Sequence, residues 1–180
     1  MKKNNINFIN LGCRLNIYEG EIIKSLTKKN NLKNYTIINS CAVTQEAEKK
    51  VKYEIRKSKK NFPEKKIIVT GCAAQINPKE YANINDVDYV IGNNEKLQKE
   101  TWSSLSSNNQ IQVKDIFIDN TLQNNVIEKF EGKSRAYIEI QQGCDHRCTF
   151  CVIPFGRGNN RSVPIGVIVE RIKILVKNGY

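Results

Sequence analysis

The sequence contains no long apolar run and no excess of acidic residues. Its 180 residues are 39% apolar and 26% charged, which is typical of an ordinary globular protein. No apolar run approaches the roughly 20 residues that a membrane-spanning helix requires, so we expect no membrane partner. Asparagines interrupt the apolar stretch within residues 1–13, which excludes the apolar core of a secretory signal. We therefore expect the chain to be cytoplasmic.

Acidic residues are outnumbered by basic ones, 18 against 29, which gives a formal net charge of +11. Such an excess favours a polyanionic partner such as nucleic acid, because lysine and arginine that neutralise phosphates release condensed counterions. Most of the basic residues are lysine in an Asn- and Ile-rich chain, so a codon-composition bias explains the charge equally well. The arginines are more informative, because five of the seven cluster in the last 46 residues: Arg135, Arg147, Arg157, Arg161 and Arg171.

The chain has six cysteines. The cytosol keeps thiols reduced, so we do not expect disulfides in a chain without a secretory signal. The cysteines are therefore candidate metal ligands.

The first hundred residues repeat one pattern three times: a short β-rich run, a cysteine and then a helical stretch. The runs are INFINLGC, YTIINSC and KIIVTGC, and helices are predicted near residues 16–29 and 44–61. A fourth run, DVDYVIG, precedes a further predicted helix at residues 93–107. Strands that alternate with helices predict an α/β fold with a parallel, Rossmann-like sheet.

Three cysteines follow successive predicted strands. The carboxyl ends of parallel strands meet at one edge of the sheet, where ligands bind in open α/β folds, so Cys13, Cys41 and Cys72 should converge there. A single buried cysteine is more often a small apolar residue than a ligand. Three cysteines at equivalent positions favour a ligand set.

The domain organisation follows from composition. We expect an α/β domain over residues 1–107, a polar, Asn-rich linker over 108–133, and the beginning of a second domain over 134–180. In the second part, SRAYIEIQQ is predicted as a strand, and a last helix is predicted from Pro164 to about Asn178.

The predicted strand SRAYIEIQQ leads into Cys144, Cys148 and Cys151, which form a C-x3-C-x2-C pattern. Three thiolates on one short loop can bind three irons of a [4Fe-4S] cluster. The fourth iron is left open to a chelating molecule such as S-adenosylmethionine (SAM). A zinc site completed by His146 is the alternative, although His146 lies between two of the cysteines.

The segment GCDHRCTFCVIPFGRGNNRSVP resembles the cluster loop of radical SAM methylthiotransferases, whose signature is C-x3-C-x-aromatic-C. Four earlier segments resemble the N-terminal domain of that family: LGCRLNIYEGE, NSCAVTQEAEKK, VTGCAAQINP and VIGNNEK. The similarity therefore covers essentially the whole chain. The sequence around Cys41 is most similar to that of the family branch that modifies N6-threonylcarbamoyladenosine at tRNA position 37. The branch that acts on isopentenyladenosine in tRNA is the next most similar.

The resemblance implies two [4Fe-4S] clusters, one on Cys144, Cys148 and Cys151 that binds SAM, and one on Cys13, Cys41 and Cys72. It also implies tRNA, an electron donor and a sulfur source as partners. Phe150, the aromatic residue of the signature, is a candidate cofactor-binding residue, although it could equally be a core residue.

Arg157 and Arg161 lie in the loop GRGNNRS, where Gly156 and Gly158 permit close backbone approach. We therefore expect them to contact tRNA phosphates, against the alternative of a solvated basic turn.

Family members continue through a (β/α) barrel, which needs roughly 200 residues. Only 47 residues remain from Ser134, so we expect one β/α unit of an incomplete radical SAM barrel and an inactive fragment. A non-catalytic iron–sulfur carrier and a redox-sensing or zinc-binding α/β domain are the rival interpretations.

Overall fold

The fold is α/β and is built on a five-stranded parallel sheet, as predicted. The structure is a computed structural model that describes residues 6–105, 109–118 and 125–180. The strands lie in the sheet in chain order: β1 (Asn7–Asn10), β2 (Tyr35–Ser40), β3 (Lys66–Gly71), β4 (Tyr89–Ile91) and β5 (Ile111–Gln112). The first four match the predicted apolar runs, and β5 lies within the segment predicted to be a linker.

The central strands are apolar on both faces because helices cover both faces of the sheet. Ile37 pairs with Ile68, and Ile38 with Val69, in the β2–β3 register. Successive side chains point to opposite faces, so each pair enters a different core. All four side chains are fully buried.

Helices follow the strands in order. They are α1 (Arg14–Lys29), α2 (Gln45–Asn61), α3 (Cys72–Ile76), α4 (Pro78–Ala82), a 3-10 helix (Glu95–Leu97) and α5 (Lys99–Ser103). The helix predicted over residues 93–107 is divided in two because Gln98 has extended backbone angles, and residues 106 and 107 lie outside the described part of the chain.

One core lies on each face of the sheet. On one face, α2 places Val51 and Ile55 against Ile38 and Val69. On the other face, α1 and α5 pack against Ile37, Ile68 and Ile91, and the single tryptophan, Trp102, is buried there.

The last third of the chain contains β6 (Gln141–Gln142), α6 (Ile153–Arg157), β7 (Arg161–Ser162) and α7 (Ile165–Lys177). The strand predicted over residues 134–142 is therefore only two residues long, and it pairs with β7 in an antiparallel ladder. A strand requires a neighbour for its backbone groups, and among the described residues β7 alone supplies one. The predicted last helix is present as α7.

No helix in the described part of the chain is both long and apolar enough to cross a membrane.

Candidate functional site

Cys13, Cys41 and Cys72 meet at the carboxyl edge of the sheet, as the sequence predicts for loops that follow parallel strands. Cys13 is the residue before α1, Cys41 directly follows β2, and Cys72 begins α3. Cys41 and Cys72 are buried, whereas Cys13 is exposed. Burial raises the pKa of the Cys41 thiol, and the neighbouring Cys72 and Cys13 thiols raise it further. The three thiols are thus close enough to interact electrostatically.

Glycines with a positive φ allow two of these cysteines to reach the edge. Gly12 and Gly71 both have φ of 96°, a conformation that residues with a Cβ rarely adopt. A Cβ on Gly12 would lie 2.6 Å from the Cys41 Cβ and 2.8 Å from its Sγ. The backbone of one cysteine loop therefore lies directly against the side chain of the next.

The C-x3-C-x2-C loop is attached to the loop around residues 158–160. The Cys144 N–H donates to the Gly158 carbonyl at 3.1 Å, and the Cys151 N–H donates to the Cys148 carbonyl at 3.0 Å. The Arg147 guanidinium donates to the Cys144 carbonyl at 2.8 Å and to the Asn159 Oδ1 at 2.6 Å. Within this loop Cys148 is exposed, and Cys144 and Cys151 are partly exposed.

Phe150 is 88% exposed. The alternative of a core residue is therefore wrong, and a contact between Phe150 and a cofactor stays a prediction. His146 is exposed as well, and no Asp, Glu, His or Cys residues in the described ranges form a group of three or more that is arranged to hold a metal ion.

Helix α6, which follows Cys151, packs against the first cysteine set. A Cβ on Gly156 would lie 3.1 Å from the Cys72 Cβ, so only glycine leaves this approach unstrained. The Asn93 amide, at the end of β4, donates to the Gly156 carbonyl and lies 3.6 Å from the Cys72 Sγ. The segment after the second cysteine set therefore covers a cysteine of the first.

A buried charged network lies beside the same edge. Glu19 of α1 accepts from Arg157 of α6 and from the Lys96 ammonium, the latter at 2.7 Å. Burial alone would raise the pKa of Glu19, but the charges of Arg157 and Lys96 outweigh it and the pKa is lowered. Burial lowers the pKa of Lys96, against the opposing effect of Glu19. The carboxylate is thus held ionised between two cations.

Arg157 and Arg161 are not at the surface, which corrects the expectation that they face tRNA. Arg157 is 5% exposed and Arg161 is 7% exposed. Arg157 donates to Glu19 and Asn16, and Arg161 donates to the Arg157 carbonyl at 3.0 Å. The alternative of a solvated basic turn is wrong for the same reason. The sequence could not show the burial because the acidic partner of Arg157 lies 138 residues away along the chain.

The sequence analysis missed Glu19, Lys96, Asn16 and Asn93. Glu19 carried a signal, since it falls within the apolar face of α1, beside Tyr18, Ile22 and Ile23. Asn93 and Lys96 follow the fourth strand and so lie at the same sheet edge as the cysteines.

The solvent face of α2 is basic. Tyr53 is 55% exposed in the middle of this face, and the Lys57 ammonium lies 5.7 Å from the centroid of its ring. We call this surface the α2 basic face; its exposed cations are Lys49, Lys50, Arg56, Lys57 and Lys60.

Residues 5–92 match the model of an uncharacterized protein family, UPF0004. The chain is 51% identical over 172 residues to the threonylcarbamoyladenosine tRNA methylthiotransferase MtaB of Rickettsia prowazekii, covering 96% of this chain and 40% of that protein. It is 36% identical to the protein of the same name from Thermotoga maritima, over 94% of this chain and 40% of the relative.

A tRNA-2-methylthio-N(6)-dimethylallyladenosine synthase from Desulfotalea psychrophila is 32% identical, over 93% of this chain and 41% of the relative. The chain thus spans about 40% of the length of these relatives.

Proposed function

We propose, from the premise that this chain belongs to the methylthiotransferase family, that it forms the N-terminal part of an enzyme that adds a methylthio group to tRNA. The proposed substrate is N6-threonylcarbamoyladenosine at position 37, which the protein would methylthiolate at C2 of the base in the cytoplasm. The names of the Rickettsia and Thermotoga relatives support this substrate. So does the sequence around Cys41, NSCAVTQEAEKK.

The observation that carries the proposal is the pairing of two cysteine triplets in one molecule. Cys13, Cys41 and Cys72 come from three strands that end at one edge, while Cys144, Cys148 and Cys151 come from a single loop. Thiolates are the ligands of iron–sulfur clusters, so both donor sets fit such a cofactor chemically.

Each triplet would hold one [4Fe-4S] cluster, and the set at residues 144–151 would leave one iron for SAM. When bound, the clusters and SAM supply the radical chemistry and the sulfur that the protein itself lacks. The electron donor and the sulfur source are further partners in the proposal.

The contribution of the chain is to position these groups and exclude water. Cys41 and Cys72 are buried, and Gly156 covers Cys72. The exposed Cys148 and Phe150 leave the other triplet open to an incoming molecule. Two of the three cysteines of the first site are therefore shielded, whereas Cys13 and the second site are accessible.

The α2 basic face supports tRNA as the partner. Five exposed cations on one helix face suit a phosphate backbone, and an exposed tyrosine among them offers a surface for base stacking. Helix α2 begins four residues after Cys41, so its first turn lies near the cysteine edge.

Iron and sulfide analysis tests the cluster assignment. After anaerobic reconstitution, the chain should bind about eight irons and eight sulfides, since each cluster holds four of each. A variant with Cys13, Cys41 and Cys72 changed to Ala should lose about half, and so should one with Cys144, Cys148 and Cys151 changed. Zinc without labile sulfide, or iron that neither variant loses, would contradict the assignment.

Salt-dependent tRNA binding tests the partner. A variant with Lys49, Lys50 and Lys57 changed to Gln should bind tRNA more weakly and with a smaller salt dependence, the slope of log K against log salt falling by about 2. The control changes three exposed lysines elsewhere to Gln: Lys28, Lys29 and Lys33. Equal losses in the two variants would indicate unspecific charge attraction.

Isopentenyladenosine is the second candidate substrate, because the Desulfotalea relative is named for that nucleoside class. Anticodon stem-loops that carry one or the other modified adenosine distinguish the two. Tighter binding of the threonylcarbamoyl form is expected. Reconstituted chain that binds neither RNA nor SAM, yet transfers its cluster to an apoprotein, would favour an iron–sulfur carrier instead.

A further inference from the structure

Arg157 connects two parts of the molecule that are far apart in sequence. It is the last residue of α6, six positions after Cys151, and its guanidinium reaches the Glu19 carboxylate and the Asn16 amide oxygen on α1. A third acceptor, the Gln142 Oε1, lies at 3.4 Å. The side chain is almost fully buried, so it spans the interior between the second cysteine segment and the first helix.

Several buried hydrogen bonds hold the α1 end of this connection. Lys96 binds the second oxygen of Glu19, and also donates to the Asn39 Oδ1 at 3.2 Å. Asn16 donates to the carbonyls of Leu11 and Ser40 at 2.7 and 2.9 Å. Leu11 lies two residues before Cys13, and Ser40, the last residue of β2, directly precedes Cys41, so Arg157 is anchored on the same backbone that presents two of the cysteines.

At the other end of this connection, Gly156 determines where α6 lies. Gly156, directly before Arg157, contacts Cys72 and accepts from Asn93. Gly156 and Arg157 are adjacent, so the bond of the guanidinium to Glu19 favours the position of Gly156 against Cys72. Loss of the anchor would allow α6 to leave the sheet edge and expose the Cys72 thiol.

We propose that Arg157 is a positioning residue that fixes the C-x3-C-x2-C loop relative to Cys13, Cys41 and Cys72. The inference deepens the proposed function and rests on it only for the roles of the cysteines. Arg157 touches no reacting atom in this proposal; it acts through α6 and through the backbone that Asn16 binds. Two cysteine sets that act on one nucleotide need a constant separation, and this buried side chain supplies it.

Thiol reactivity in the cluster-free chain tests the proposal. Alkylation of Cys72 by iodoacetamide, followed by peptide mass spectrometry, reports whether α6 covers it. Arg157→Gln should increase the alkylation rate of Cys72 about tenfold or more. This corresponds to a loss of about 1.4 kcal/mol in the free energy that keeps α6 over Cys72. Cys13, already exposed, should react at an unchanged rate. Arg157→Lys should give an intermediate rate, because it keeps the charge but not the forked geometry.

Arg147→Gln is the matched control. Arg147 is an exposed arginine of the same segment that donates to Cys144 and Asn159 and lies 5.1 Å from the centroid of the Phe117 ring, and none of these three partners belongs to α1. It should leave the Cys72 rate unchanged. A Cys72 rate that does not change in Arg157→Gln, or that rises equally in the control, would overturn the proposal.

Hydrogen exchange distinguishes movement of α6 from general unfolding. In Arg157→Gln, amides of residues 153–163 should lose protection while those of β2 and β3 keep it. Should that variant fail to fold, Asn93→Ala removes the tie to Gly156 without leaving a buried charge, and it should also accelerate Cys72 alkylation. No acceleration in Asn93→Ala would count against the proposal. Because no cluster or tRNA is present, failed iron loading would overturn the proposed function but leave this result intact.

Discussion

Glu19 shows how one residue can determine the stability of the region around it. Its carboxylate lies between Arg157 and Lys96, all three side chains being buried. Buried ions are tolerated only when paired, because each loses its hydration. The carboxylate therefore balances two cations that the interior could not otherwise hold.

Glu19→Gln should lower the free energy of unfolding by about 3–5 kcal/mol, since it leaves both cations without their counter-charge. Denaturant unfolding at pH 7 measures the loss. Glu170→Gln is the control, because Glu170 pairs with Lys173 at the surface, and its effect should be below about 0.5 kcal/mol. Equal effects of the two substitutions would contradict the role assigned to Glu19.

The contribution of this network to the free energy of unfolding should be lost at acidic pH. The pKa of Glu19 is lowered in the folded state, so its contribution is complete above the unfolded value of about 4.3 and is lost as the pH falls through the lower folded value. The stability difference between wild type and Glu19→Gln should therefore shrink below about pH 4. A constant difference would be inconsistent with this linkage.

Glu139 has a raised pKa, in contrast to Glu19. It is buried, its Oε1 has no hydrogen-bond partner among the described residues, and burial raises its pKa. A raised folded pKa gives stability that is present below the unfolded pKa of about 4.3 and is lost as the pH rises through the folded value.

Glu139→Gln should therefore stabilise the chain at pH 7, and the gain should diminish towards pH 4, where the glutamate is protonated. Thermal unfolding at the two pH values measures this difference. A variant that is less stable than wild type at pH 7 would show that the charged form is favoured.

At the scale of elements, glycine turns determine where the cysteines lie. Gly12, Gly71 and Gly143 each have a positive φ, and each directly precedes a cysteine. At Gly71 a Cβ would collide with the backbone N and O of Ser40, which cannot move without displacing β2. The turn from β3 into α3 is therefore restricted to glycine.

Gly71→Ala should destabilise the chain by about 2 kcal/mol or more, combining the left-handed backbone cost with the collision. Gly166→Ala is the control, because nothing lies within 4 Å of a Cβ at that helical position. The control should be neutral or slightly stabilising. The midpoints of urea unfolding of the two variants test this prediction. Similar midpoints would show that position 71 is not restricted to glycine.

The first four strands, α1, α2 and the cysteine edge could be predicted because local patterns encode them. Apolar runs ended by turn residues define the strands, and Thr44 caps α2 through its side chain at 3.1 Å from the Ala47 N–H. The short β6 and the buried Arg157 could not be predicted. Both depend on partners distant in sequence, β7 for the strand and Glu19 for the arginine.

At the scale of the whole molecule, α7 presents an apolar stripe to solvent. One face contributes Arg171 and Leu175 to the interior. The other face exposes residues spaced by three or four positions: Ile165, Val169, Ile172 and Val176. Contiguous apolar surface of this kind promotes association.

Changing Val169 and Ile172 to Lys should reduce self-association at high protein concentration, measured by light scattering, and should leave the free energy of unfolding within about 0.5 kcal/mol of wild type. Glu170→Lys with Lys173→Glu reverses an exposed pair on the same helix and is the control. Association that persists in the Lys variant would exclude this stripe as its cause.

The indole of Trp102 is buried and donates to the Lys96 carbonyl at 2.9 Å. Because the sequence has a single tryptophan, all indole emission from this protein originates one hydrogen bond from the lysine that holds Glu19. The chain thus contains its own optical reporter: a shift in emission wavelength or in quenching by iodide would register disturbance of the ion network in real time, without any label.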